Sequence, residues 1–212
     1  MPVDAYQTGQ GQPIYQRQQY AQGGLGRWYW DWRDKIVLSF ITSKDHRILD
    51  LGCGEGITLE RLKSLYPHHD IMGIDLDPEN VTICGQHNLP VKSGDIYSLD
   101  LPDNSFDVVL FLEVLEHLHH PDLALKEINR VLRPGGKIII LFPHDFIFLL
   151  ARLATLKFKE ASYDPGHLCQ WTPKKITAAL SNLGFTVTAT RNIPFYFWIL
   201  SLHGLVVATK DS

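Results

Sequence analysis

At 212 residues, with 45% hydrophobic and 20% charged side chains, the chain suits one medium-sized domain with a short attachment and has ample apolar content for a core. A formal charge of −3 and a pI near 6.3 argue against an extended nucleic-acid surface, though a local basic groove fits within them. Three cysteines, Cys53, Cys84 and Cys169, lie far apart with no CxxC pair, as expected of reduced thiols in a cytoplasmic protein.

The opening stretch, MPVDAYQTGQ, has neither the basic region nor the apolar run of a secretory signal. Residues 1–24, rich in Gln, Gly and Tyr, read as a flexible N-terminal arm, and residues 25–212 as a single domain. The stretch RWYWDWRDKIVLSFI, Arg27–Ile41, predicts a helix whose aromatic side chains pack into the core. Strands are expected near Arg47–Leu51, Ile71–Leu76, Val91–Ile96, Phe106–Leu112 and Lys137–Phe142. Helices fit between them at Thr58–Leu65, Glu79–His87 and Leu123–Leu132, the last ending at RPGG. Such alternation means βαβ units: an α/β fold with a doubly wound, mostly parallel sheet and helices on both faces. The tail differs. A helix in TPKKITAALSNLGF is followed by two short strands, TVTATR and GLVVATK, which an antiparallel pair would accommodate. The apolar runs Phe146–Leu156 and Ile193–Val207 are interrupted by Arg152 and by His203 and Gly204. Both fall short of the ~20 residues of a spanning helix, so no transmembrane segment is expected, while peripheral membrane contact stays compatible. Residues 146–166 are the candidate cap.

Three glycines, Gly52, Gly54 and Gly56, stand where the apolar strand ILDL hands over to a helix. In an open parallel sheet, ligands sit beyond the carboxyl ends of the strands. Glycine there lets backbone groups approach a nucleoside ligand. Asp75, closing the second strand in IMGIDLDPEN, can accept from both hydroxyls of a ribose, whereas Asp77 before Pro78 suits a helix N-cap. Asp95, in VKSGDIY, can accept from an adenine amine while the Ile96 amide faces a ring nitrogen; a plain turn aspartate is the competing reading. The dinucleotide fingerprint G-x-G-x-x-G would need glycine at Ile57, and Asp50 just inside the strand would repel a pyrophosphate. The pattern suits a ligand with a ribose, an adenine and a positively charged end.

The segments LDLGCGEG, GIDLDPEN, GDIYSLDLPDNSFDVVLFLEVLEHL and INRVLRPGGKIII, in this order, resemble class I S-adenosylmethionine-dependent methyltransferases. The resemblance spans about Arg47–Phe142 and implies a Rossmann-like sheet of seven strands whose final strand is antiparallel. It implies S-adenosyl-L-methionine as cofactor, with Asp50, Gly52, Cys53, Gly54 and Gly56 around its methionine part. Asp75 would lie at the ribose, Asp95 and Ile96 at the adenine, Glu113 at the cofactor end, and Leu76 is a further cofactor-binding residue.

Such a reaction needs a nucleophile held in line behind the methyl and, for a hydroxyl acceptor, help in removing its proton. The candidates lie in FLEVLEHLHH. If the chain turns helical there, Glu113, Glu116 and His117, at i, i+3 and i+4, share one face. Adding His167 from DPGHLCQWT gives Glu116, His117 and His167 as catalytic candidates, or, with Glu113, four ligands for a divalent metal. That set is similar to the Glu-x-x-Glu-His segment of small-RNA 2′-O-methyltransferases, with Trp171–Thr172 following, and to that of ubiquinone-pathway O-methyltransferases. His144 is a second base candidate. The expected activity is methyl transfer to a small-molecule or lipid-like acceptor at oxygen or carbon. The alternatives are a metal-assisted RNA 2′-O-methyltransferase, disfavoured by charge, and a noncatalytic cofactor-binding scaffold.

Overall fold

The computed structural model describes residues 16–144, 168–195 and 201–212. Two helices come first, α1 (Gln16–Gln22) and α2 (Gly24–Leu38). An alternating run follows: β1 (Arg47–Leu51), α3 (Ile57–Leu65), β2 (Asp70–Asp75), α4 (Pro78–Gln86), β3 (Val91–Ser93) and β4 (Phe106–Leu112). A 3-10 turn at Leu115–His117 leads into α5 (Pro121–Val131) and the long β5 (Leu132–Pro143). The C-terminal part holds α6 (Pro173–Ser181), β6 (Phe185–Ile193) and β7 (His203–Lys210).

Helix starts follow side-chain chemistry. Asp77 Oδ1 accepts the Glu79 N–H at 2.8 Å with Pro78 in the first turn, and Thr172 Oγ1 accepts the Lys175 N–H at 3.2 Å ahead of Pro173. Helix α5 stops at Val131 because the chain there enters β5. Leu132 pairs with Phe106 and the register then slips, so that Lys137 faces Val108. Gly136 sits in that irregularity, where a Cβ would come within 2.8 Å of the Arg133 carbonyl oxygen.

The seven strands form one sheet in the order β3-β2-β1-β4-β5-β7-β6. The first five run parallel, while β7 is antiparallel to both β5 and β6. Alternate residues of the buried strands feed opposite faces, as the period of two demands. Leu49, Val109, Phe111, Ile138 and Ile140 pack with Leu125 and Ile128 of α5 and Ile176 and Leu180 of α6. Ile48, Val108, Leu110, Ile139 and Leu141 pack on the other side with Val37 and Leu38 of α2 and Leu59 and Leu62 of α3. Truncating any of the leucines or isoleucines among them to alanine would cost about 2–5 kcal/mol. Strand order reverses between β1 and β4, so the carboxyl ends of these two strands flank a crevice.

Several boundaries move. Strand β3 ends at Ser93 instead of Ile96: the Gly94 N–H turns back to the Asp75 carbonyl at 3.1 Å, and Asp95 bridges to Ser98. Strand β2 closes at Asp75, leaving Leu76 outside it and half exposed. Within the segment read as an arm, Gln16–Gln22 is helical and α2 already begins at Gly24. The aromatic residues of α2 divide: Tyr29 and Trp32 pack on the core, whereas Trp28 is 62% exposed and stacks on Trp32 at 6.0 Å. Residues 1–15, the proposed cap at 146–166 and His167 lie outside the described residues. Among the described residues, no helix is long and apolar enough to cross a membrane.

Candidate active site

The glycine loop joins β1 to α3 and is tied to β2, because the Gly52 and Cys53 N–H groups both donate to the Ile74 carbonyl, at 2.8 and 3.1 Å. Gly52, Gly54 and Gly56 have φ of 74°, 53° and 76°, a left-handed conformation that glycine adopts without Cβ strain. Room for a ligand is only part of their purpose. A Cβ at Gly52 would meet Val114 Cγ2 at 2.5 Å, and one at Gly56 would meet Leu89 at 2.6 Å and the Cys84 sulfur at 2.8 Å. The close approach is largely between parts of the protein, a packing need that the glycine pattern alone did not reveal.

Asp50 lies beneath this loop on β1 and is 2% exposed. Its Oδ2 is buried and has no hydrogen-bond partner among the described residues. Burial, reinforced by the charges of Asp34 and Asp75, pushes its carboxyl up to about 7. A carboxylate placed this way is stabilised by any cation that reaches it. Asp75 faces the same loop but is engaged: Oδ2 accepts the Gly54 N–H at 2.7 Å, and Oδ1 accepts from the Asp77 N–H at 3.0 Å and Asn80 Nδ2 at 3.1 Å. Asp95 makes a local turn, accepting the Tyr97 N–H at 2.9 Å, with Ile96 half-buried beside it.

On the other side of the crevice, Glu113 follows β4 with φ of 56°. Its N–H donates to the Leu141 carbonyl at 2.8 Å. One carboxylate oxygen accepts from Arg33 Nη1 at 3.1 Å, and the other meets His203 Nε2. Burial alone would raise the Glu113 carboxyl, but the Arg33 guanidinium and the His203 imidazole outweigh it and hold the group well below the usual carboxylate range. Arg33 also binds Asp34, at 3.0 and 2.9 Å, and Asp34 accepts from Thr58 Oγ1 at 3.0 Å and Arg61 Nη1 at 2.6 Å. Arg33, Asp50, Gly52, Cys53, Gly54, Thr58, Leu112 and Glu113 line one cleft together with Gln16 and Trp30. Carboxylates outnumber cations around it, so a cationic ligand is the electrostatic complement.

The left-handed Glu113 breaks the expected helical face. The 3-10 turn begins only at Leu115, so Glu113 does not stand one turn above Glu116 and His117. Glu116 is 2% exposed and its backbone carbonyl accepts the Leu168 N–H at 2.8 Å, whereas His117 is half-buried. His144 is half-buried, with its N–H on the Leu202 carbonyl at 2.7 Å. Among the described residues, no group of three His, Cys, Asp or Glu side chains is arranged to hold a metal ion.

Four residues of the site are not singled out by the sequence reading, three of them outside any motif. Tyr29, Arg33 and His203 come from α2 and β7, far in sequence from the glycine loop. Helix α2 also carries Arg27, Asp31 and Lys35, so its charge pattern alone does not mark Arg33 and Asp34 as the buried pair. The fourth is Glu55, 5% exposed, whose two carboxylate oxygens accept the backbone N–H groups of Gln16 and Arg17 at 2.6 and 2.8 Å.

Comparison with known proteins bears on family and fold. Residues 49–140 match the family described as a methyltransferase domain. A protein of Mycolicibacterium smegmatis named "probable S-adenosylmethionine-dependent methyltransferase" is 27% identical over 188 residues, covering 87% of this chain and 66% of the relative. Demethylmenaquinone methyltransferase of Staphylococcus aureus is 34% identical over 117 residues, 52% of this chain and 48% of that protein. The chain thus spans less than two thirds of the length of these curated relatives. A SAM-dependent methyltransferase from Archaeoglobus fulgidus shares the fold, with a TM-score of 0.70 at 18% identity, over 93% of this chain and 100% of the other.

Proposed function

Because the chain belongs to the class I S-adenosylmethionine-dependent methyltransferases, we propose that it binds S-adenosylmethionine in the cleft between β1 and β4 and transfers the methyl group to a small, quinone-like or lipid-like acceptor. The observation that carries this reading is Asp50: a buried carboxylate with an unpartnered oxygen facing a cleft of acidic excess. When bound, S-adenosylmethionine supplies an already activated methyl on a sulfonium, so the protein has mainly to bind, orient and exclude water.

Asp50 takes the ammonium of the methionine end, beside the backbone of Gly52, Cys53, Gly54 and Gly56. Asp75 receives the ribose hydroxyls; a carboxylate offers about four acceptor sites, so the loop bonds it already makes leave capacity for one hydroxyl and exchange for a second. Leu76, Asp95 and Ile96 border the sugar and adenine. Glu113 stays ionised at the rim. Glu116, His117 and His167 are the sequence candidates for taking a proton from a hydroxyl acceptor. A carbon acceptor that is already an anion would need less help.

A quinone-like acceptor is supported by the relative named for demethylmenaquinone, and the net charge of −3 argues against a polyanionic one. Calorimetric titration with S-adenosylhomocysteine and NAD separates the cofactor classes: heat with the first alone is expected, and its absence would overturn the proposal. Incubation with methyl-labelled S-adenosylmethionine and a reduced quinone tests the acceptor. Label retained wholly in the cofactor would remove the quinone class.

A further inference from the structure

We propose that His203 is a positioning residue that lets the site distinguish the sulfonium cofactor from its thioether product, acting through Glu113. This rests on the methyltransferase reading. His203 opens β7, pairs with Pro143 at the carboxyl end of β5 and is 1% exposed. Its ring lies between two partners. Nδ1 is 2.6 Å from the Tyr29 hydroxyl, with the two rings stacked at 5.7 Å and 20°, and Nε2 meets Glu113 Oε1. Glu113 is an ionised acceptor, so Nε2 donates to it. In the neutral ring Nδ1 then accepts the Tyr29 proton. Arg33 holds the other Glu113 oxygen at 3.1 Å.

With one donor on each oxygen, the carboxylate has little freedom to rotate, and its backbone is fixed at φ 56°. A third of the side chain stays exposed, in the cleft that Asp50 and Gly52 also line. A fixed negative charge there matters for one difference above all. Methyl transfer breaks the carbon–sulfur bond, leaves its electron pair on sulfur and turns a cationic sulfonium into a neutral thioether. A carboxylate held toward the cleft favours the former and lets the latter go. Tyr29 fixes the ring, the ring fixes the carboxylate, and the carboxylate reads the charge.

The test measures the affinities of S-adenosylmethionine and S-adenosylhomocysteine by calorimetry in wild type, His203→Phe, His203→Gln and Tyr29→Phe, with thermal unfolding followed in parallel. Loss of the imidazole donor in His203→Phe should weaken S-adenosylmethionine about tenfold and S-adenosylhomocysteine less than about twofold, the size of one charge-assisted hydrogen bond. His203→Gln, which keeps a donor of similar reach, should restore the ratio to within about threefold of wild type, and Tyr29→Phe should fall between. If His203→Phe does not fold, the other two variants decide. A purely structural role would lower both affinities together. An unchanged ratio in every folded variant, with wild-type binding intact, overturns the role of His203. Wild type binding neither compound overturns the methyltransferase reading itself.

Discussion

Gln16 donates its backbone N–H to Glu55 Oε1 at 2.6 Å, joining the first described helix to the glycine loop. The neighbouring Arg17 N–H takes the other oxygen, and Arg17 Nε returns to the Glu55 carbonyl at 2.7 Å. Glu55 therefore caps α1 from a distant part of the chain, and the Gln16 side chain lines the cleft beside Gly54. Tyr20, bonded to Asp31 at 2.7 Å and covered by Arg27 at 4.6 Å, holds the other end.

Glu55→Ala should release α1 without unfolding the sheet. A helix cap is worth about 0.5–2 kcal/mol, and a helix of seven residues has little stability of its own. Limited trypsin digestion should cut after Arg17 several-fold faster in the variant, and S-adenosylhomocysteine affinity should fall about three- to tenfold, in line with that energy. Equal digestion rates would mean that Tyr20 and Arg27 suffice.

Asp50 makes ligand binding depend on pH in a direction that can be stated. Its folded-state carboxyl lies at about 7, above its ordinary 3.8. The stability this protonation gives is fully present below pH 3.8 and is lost as pH rises through about 7, a range of ~1.4 kcal/mol per unit at most. Glu113, held low, acts in reverse: its contribution is present above the ordinary carboxylate range and disappears as pH falls through its folded value. The ligand-free protein should thus be more stable near pH 5.5 than at pH 8, as urea midpoints would reveal. Affinity for S-adenosylmethionine should run the other way, weakening by up to about tenfold per unit below pH 7 as Asp50 must first lose its proton. Asp50→Asn should flatten both profiles, raising stability at pH 8 while weakening binding.

Local and tertiary signals explain what was legible in the sequence. Strands β1 and β4 fall where the apolar runs place them, Arg47–Leu51 and Phe106–Leu112, because a strand buried on both faces is mostly hydrophobic, here interrupted only at Asp50 and Asp107 beyond the leading Arg47. The N-cap at Asp77 is equally local. The spacing of Glu113, Glu116 and His117 implies a shared face only where the backbone is helical, and the left-handed Glu113 removes that premise. His203 was invisible. It reads as an interruption in an apolar run, and its partners Tyr29 and Glu113 lie 174 and 90 positions away.

The glycine loop offers a graded test of packing against backbone strain. Gly52→Ala places a methyl 2.5 Å from Val114 Cγ2 at φ 74°, so strain and overpacking add; about 2–4 kcal/mol of destabilisation is expected. Gly54→Ala shares the backbone penalty, but its methyl meets only the mobile amide end of Gln16 at 3.2 Å, so about 1–2 kcal/mol should suffice. Urea denaturation of both variants gives the comparison. Equal losses would make the conformation, and not Val114, the constraint.

The three cysteines should react in a fixed order. Cys169 is exposed, while Cys53 and Cys84 are buried behind the glycine loop, their sulfurs 3.8 and 3.4 Å from the Gly54 carbonyl oxygen. Their mutual contact pushes the Cys53 thiol up and the Cys84 thiol down, so it is the full burial of Cys84 that shields it from reagent. An aromatic disulfide reagent should therefore titrate one thiol quickly in the native protein and the other two only at the rate at which the loop opens. Cys169→Ser should abolish the fast phase and leave the slow one intact. Because both slow sulfurs touch the carbonyl of Gly54, whose N–H binds Asp75, filling the cleft with S-adenosylhomocysteine should slow their labelling further without altering Cys169. Two fast thiols in the native protein would contradict the packing of α4 against the loop.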